Sequence, residues 1–193
     1  KNMPTMYWGK AIVNYLLARR DLDVGRDPSA AINEGLAQIR ACYTAQQGFP
    51  ECQVTEGQLL GAQAEWRKQQ RAPFVATLER ARKLATQATQ QSATNEELQL
   101  SRAELCLQQA MAQWDARQRP ESVLREGMEA VTQALTLSRD WPRALAVQGA
   151  LFWQQAQLQE GAARDESLQR AQKILSSAFA GNPLLKRRFG RFW

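Results

Sequence analysis

The densest chemistry in this 193-residue chain lies at its end, in residues 182–193, NPLLKRRFGRFW. Lys186, Arg187, Arg188 and Arg191 stand there without an acid, interleaved with Phe189, Phe192 and Trp193. Cations of this kind contact phosphates, and aromatic rings stack on bases. The same composition suits an anionic membrane surface. The competing and favoured reading is a cap: Phe189 and Trp193 cover an apolar helix end while the cations stay in water.

Elsewhere the chemistry is sparse. The chain has no His, which removes the commonest general base, metal ligand and pH switch together. Paired carboxylates, Glu96-Glu97 and Asp21/Asp23, fall at expected helix ends and turns, where acids stabilise the helix dipole. No candidate nucleophile has a base within motif distance, so no catalytic residue, metal or cofactor is expected. The three cysteines, Cys42, Cys52 and Cys106, are too few and wrongly spaced for zinc. Their odd number points to a reducing compartment more than to a disulfide framework. Cys42 and Cys52 fall near two helix ends that should be adjacent. They form either a bridge or, as the favoured reading, two buried thiols.

The net charge is +6, from 25 Lys and Arg against 19 Asp and Glu. Without the tail the balance is 21 against 19, so the rest is close to neutral. No stretch of about 20 apolar residues is present, so no transmembrane segment is expected. The chain starts on Lys1 and enters a helix almost at once, which reads as a piece of a longer or processed protein.

The chain repeats itself. Residues 28–50, PSAAINEGLAQIRACYTAQQGFP, align without a gap on residues 120–142, PESVLREGMEAVTQALTLSRDWP, at an offset of 92. Pro73 marks a third copy, 45 residues after Pro28 and 47 before Pro120. A period of this length means stacked helical units, each burying its apolar face on a neighbour. Ala, Leu, Gln, Arg and Glu dominate, and β-branched residues are sparse, a helical composition.

Eight helices in four pairs follow, with pairs over about 5–50, 51–93, 94–140 and 141–181. The expected first helix runs from Thr5 to Asp23, with Tyr7, Trp8, Ala11, Ile12, Tyr15, Leu16 and Leu22 at three- and four-residue spacing. Gly25-Arg26-Asp27-Pro28 is a turn in which Asp27 caps the next helix. Gly48-Phe49-Pro50 stops that helix, and the third begins near Thr55. Thr94 with Glu97 reads as a capping box. The fourth pair is expected over Trp141–Gln159 and Asp165–Ala180. Gly9, Gly61 and Gly149 in first helices, and Gly35 and Gly127 in second helices, mark close helix packing, because a mid-helix Gly costs about 1 kcal/mol.

Paired helices, a small mid-helix residue and Pro at the turns resemble tetratricopeptide-type repeats, with a unit of about 46 residues instead of about 34. The GRDP turn and the NPLL ending are similar to the C-terminal repeat regions of multidomain bacterial serine/threonine kinases. No Gly-rich loop, His-Arg-Asp or Asp-Phe-Gly of a kinase is present. The resemblance implies an all-α, right-handed superhelix over residues 1–181, with 182–193 as a capping tail. It implies a concave face, lined by the first helix of each pair, that holds a peptide or helix of a partner.

Placed by the small mid-helix residues, the groove candidates are Lys10, Asn14, Gln58, Glu65, Trp66, Glu104, Gln108, Trp153 and Gln154. For Trp66 and Trp153 the favoured place is the core, because aromatic residues at helical spacing usually pack inward. The expected function is a non-catalytic interaction or scaffold module of a bacterial signalling protein. A protein or peptide partner is expected ahead of nucleic acid, with anionic polymer or membrane binding by the basic tail as the alternative. An apolar first-helix face at Met3, Met6, Tyr7 and Trp8 suits an upstream domain or a homodimer. The expected location is the cytoplasm, or the periplasm if a membrane helix precedes the chain.

Overall fold

The computed structural model describes residues 3–193 and is all-α, with no strand among the described residues. Eight long helices form: α1 (Pro4–Asp23), α2 (Ser29–Ala45), α3 (Pro50–Gln69), α4 (Val75–Gln91), α5 (Glu96–Asp115), α6 (Glu121–Leu137), α7 (Pro142–Ala156) and α8 (Gly161–Gly181). A short α9 (Lys186–Phe189) follows, flanked by single 3₁₀ turns at Pro183–Leu185 and Gly190–Phe192. The chain divides into two compact units, Lys1–Ala93 and Thr94–Trp193. Among the described residues no helix is long and apolar enough to cross a membrane.

Each unit holds two helix hairpins. In the first unit α1 packs on α2 and α3 on α4, and α3 also rests on both α1 and α2. The second unit repeats the scheme with α5, α6, α7 and α8. The turn inside the first three pairs is one motif at a period of 46 residues. Gly25, Arg71 and Arg117 all take left-handed φ, at 71°, 57° and 56°. The next amide reaches back five residues each time: Arg26 N–H to Asp21 O, Ala72 N–H to Arg67 O and Gln118 N–H to Gln113 O, at 2.8–2.9 Å. These bonds satisfy carbonyls that the helix end leaves orphaned. The fourth pair lacks the motif.

Both aromatic-Pro dipeptides begin helices, as expected at Trp141-Pro142 but not at Phe49-Pro50. Pro50 and Pro142 occupy the first turns of α3 and α7, with Phe49 and Trp141 as N-caps. Proline loses nothing there, because the first amides of a helix have no intrahelical partner. The stop lies earlier, where Gly48 and Asp140 adopt φ of 76° and 56°. Helix α3 therefore starts five residues ahead of Thr55. Helix α8 likewise starts at Gly161, ahead of Asp165, and α7 ends at Ala156, short of Gln159. The cap of α5 is Asn95 instead of Thr94: its side chain accepts from Glu97 N–H and Leu98 N–H at 3.1 and 3.2 Å. Asp27 accepts from Ser29 N–H at 2.8 Å, and hydrogen bonds from the Ser29 side chain and then its backbone hold the Asp27 carboxyl below the usual range.

Two glycines set the stacking. A Cβ on Gly35 would lie 2.8 Å from Leu59 and 3.2 Å from Asn14 Cβ. A Cβ on Gly127 would lie 2.9 Å from Cys106 Cβ and 3.1 Å from Leu151. In both places the second helix of a pair wedges between its own first helix and the next one. Gly9 differs from this expectation, since nothing lies within 4 Å of a Cβ placed there.

Cys42 and Cys52 are joined in a disulfide, against the favoured reading of two thiols. Both sulfurs sit in the core with Tyr15, Ile39 and Leu59, tying the end of α2 to the first turn of α3. Cys106 is a buried free thiol.

Two stability predictions follow from these turns and this bridge. Arg71→Gly and Arg117→Gly each relieve a side chain at left-handed φ and should raise stability by about 1 kcal/mol, whereas Gly25→Arg should lower it comparably. Thermal melts followed by circular dichroism check the pattern. Replacing Cys42 and Cys52 together by Ser opens a loop with a sequence separation of 10 and should cost about 3 kcal/mol in denaturant unfolding.

Candidate functional site

Three of the expected groove residues of the first unit, Asn14, Glu65 and Trp66, make contacts within the fold. Asn14 donates its amide to Lys10 O at 3.0 Å, and its Cβ packs beside Gly35. Glu65 accepts from Arg19 of α1. Trp66 lies against Ala18, Leu22, Ile32 and Ala62, a core position. Gln58 is half-buried, and Lys10 is exposed.

Trp8 and Tyr7 also turn inward. The Trp8 indole donates to Thr55 Oγ1 at 3.2 Å and meets Phe49 edge-on. Of the apolar face read from Met3, Met6, Tyr7 and Trp8, only the two methionines stay exposed. The exposed surface instead runs along α1. Met6, Val13, Leu17 and Val24 recur at spacings of seven, four and seven and fall on one stripe. Their exposures are 49%, 56%, 36% and 47%, with Lys10 on the same line.

The repeat says what such a stripe does. Moving Met6, Lys10 and Val13 by one period of 46 gives Cys52, Glu56 and Leu59 of α3, all buried. Each touches α2 of the preceding pair: Cys52 through the disulfide, Glu56 through Tyr43, and Leu59 through Gly35. Tyr43 donates to Glu56 at 2.8 Å, and Arg80 donates to its other oxygen. Burial, then the bond to Glu56, pushes the Tyr43 phenol well above its ordinary range, so it remains a donor. These side chains line a pocket of about 180 Å³ with Leu36, Ile39, Arg40 and Leu60.

In the second unit the tail reaches two of the expected groove residues, Glu104 and Trp153. Glu104 of α5 is 5% exposed. Arg143 of α7 grips it with two bonds of 2.8 and 3.0 Å, and Arg188 of the tail adds a third at 3.4 Å. Arg143 also reaches Glu97 at 2.8 Å. Desolvation, partly offset by Arg143, leaves the Glu97 carboxyl above its usual range. Arg191 donates to Met111 Sδ at 3.4 Å, and Phe192 stands edge-on to Trp153 with centroids 5.5 Å apart. Gln108 and Gln154 each keep a buried Oε1 without a hydrogen-bond partner among the described residues.

The tail packs on the second unit, and the rings it buries differ from the expected Phe189 and Trp193. Phe189 and Phe192 are buried at 2% and 3%, while Trp193 is 60% exposed. Trp193 lies edge-on to Phe179 and donates to Ser176 at 3.3 Å. Lys186 Nζ sits over the rings of Phe179 and Trp193, at 6.0 and 5.5 Å, and Arg187 is exposed. Arg143, Glu97 and Met111 belong to this site and were not legible in the chain. Arg143 was expected in the first turn of the seventh helix, but its pairing with Glu97 and Glu104 spans 46 and 39 residues, which no local spacing shows.

Among the described residues no group of three His, Cys, Asp or Glu comes together that could hold a metal. The buried Glu104 carboxylate supplies the third prediction. Arg143→Ala leaves that charge without its two-bonded partner and should cost about 3 kcal/mol. Adding Glu104→Gln to the same chain should recover much of the loss, read as a non-additive double-mutant cycle in urea.

No protein-family model matches this chain, and neither a curated protein nor a solved structure matches it. The two surfaces, the α1 stripe and the tail-covered face, therefore carry the functional reading.

Proposed function

We propose that the chain is a non-catalytic protein-interaction module on a tetratricopeptide-like helical repeat. The observation that carries this reading is the α1 stripe of Met6, Val13, Leu17 and Val24. The repeat equivalents of Met6 and Val13, Cys52 and Leu59 of α3, are stacking residues that seat the preceding pair, and on α1 nothing among the described residues covers the stripe. An apolar helix stripe in this register accepts another helix, most closely one with a small residue where α2 has Gly35. The partner is accordingly a helical protein element, and Lys10 marks where the stripe meets an acid on it.

The superhelical arrangement, and a place in a bacterial signalling protein such as a serine/threonine kinase, extend this proposal by resemblance alone. The disulfide supports an oxidising compartment, hence the periplasmic side over the cytoplasm. Binding of anionic polymers has less support, because Arg188 and Arg191 are engaged within the fold.

The test is a Val13→Asp, Leu17→Asp chain. Both positions are exposed, so its melting temperature should match the wild type. It should lose a helical partner, or a concentration-dependent dimer in sedimentation, that the wild type retains at physiological salt. A wild type that stays monomeric and binds no protein, or a variant that keeps every partner, sinks the reading.

A further inference from the structure

The tail does more than continue the stack. A further stacked helix would rest on the last pair, α7 and α8, in the way α3 rests on α1 and α2. The tail touches both α7 and α8, and it also reaches across α7 to α5, with Arg188 at Glu104 and Arg191 at Met111, positions about two turns apart. It lies on the face formed by the two first helices of the unit. Glu104, Gln108 and Met111 recur there at i, i+4 and i+7 and share one side of α5.

The sequence that sits there has an internal repeat. Arg188-Phe189 and Arg191-Phe192 are two Arg-Phe dipeptides three residues apart. In one helical turn that spacing puts both arginines on one side and both phenylalanines on another. The phenylalanines enter the core, 6.4 Å apart, with Trp153 against the second. Each guanidinium lies near its own Phe ring, at 5.2 and 4.8 Å. The arginines meet a buried carboxylate and a thioether. Charge and apolar area thus match together, as at a peptide-binding groove.

The fit is incomplete in one respect. Gln108, one turn from both Glu104 and Met111, holds a buried acceptor with no donor, and so does Gln154 of α7. A ligand with a further N–H at this depth would satisfy what the tail leaves open, since a buried unpaired acceptor is costly.

We infer that the α5–α7 face is a binding surface for protein segments of the type Arg-Phe-x-Arg-Phe, and that the C-terminal tail is its resident ligand. The tail holds the site at an effective concentration on the order of millimolar. A partner segment binds by displacing it, which sets a threshold on partner concentration. This site is separate from the α1 stripe, and either can fail without the other.

The probe is a labelled peptide of residues 182–193. In fluorescence anisotropy, wild-type chain should bind it weakly. An Arg188→Glu, Phe192→Ala chain, whose own tail is disabled, should bind it at least about tenfold more tightly. A peptide carrying the same two changes should not bind either chain. A folded variant that binds no better than wild type, or that takes the altered peptide equally well, overturns the proposal. If the variant fails to fold, wild type labelled with fluorotryptophan keeps the test decisive. Excess peptide should then produce a second ¹⁹F signal for released Trp193, and its absence at millimolar peptide overturns the proposal.

Discussion

Everything in this fold depends on the contact between a glycine and a leucine one helix pair further on. No pair can bury its own apolar face, because two helices leave one side of each open. The open side closes only when the first helix of the next pair seats against the second helix of the one before. Gly35 admits Leu59 and Gly127 admits Leu151, with Asn14 and Cys106 closing the wedge from the other side. A methyl group at either glycine would stand closer than 3.0 Å to its neighbour. The loss of helix propensity at these positions, about 1 kcal/mol each, is outweighed by the burial that the close approach permits.

The same constraint explains the polar features. Tyr43 and Glu56 lie on the stacking side, so a hydroxyl and a carboxylate enter a crowded interface. Glu56 is tolerable there because Tyr43 and Arg80 occupy both of its oxygens. Beside them the disulfide crosses the joint between α2 and α3. Bridge and hydrogen bond thus reinforce the contact at which Leu59 meets Gly35, and the joint is held by covalent, polar and apolar means together.

The pairing of helices and the wedge glycines were legible because they recur at a fixed offset and because helical periodicity is strong in α4 and α6. The exact period was hidden by chemistry. Gly25 announces a left-handed turn, but its equivalents are Arg71 and Arg117, which no turn rule selects. Proline misled in a different way: read as a stop, Pro50 in fact opens α3, because the first turn tolerates a missing amide and Gly48 had already ended α2. Trp66, named among the groove candidates, packs against the core, the place favoured for an aromatic residue at helical spacing. The disulfide needed the true start of α3, which brings Cys52 into its first turn beside Cys42.

The chemistry of the tail follows from what lies beneath it. Glu104 is a buried carboxylate, and a buried charge needs more than one donor to be tolerated. Arg143 supplies two bonds from within the repeat, but its third nitrogen is drawn to Glu97. An apolar cap would cover Trp153 and leave that acidic pair only partly neutralised. A purely basic one would leave the ring wet. Alternating Arg and Phe in one short turn answers both demands, which is why the segment that closes this face is cationic and aromatic at once. A surface that imposes so particular a composition on its own chain imposes it equally on anything that would take the chain's place.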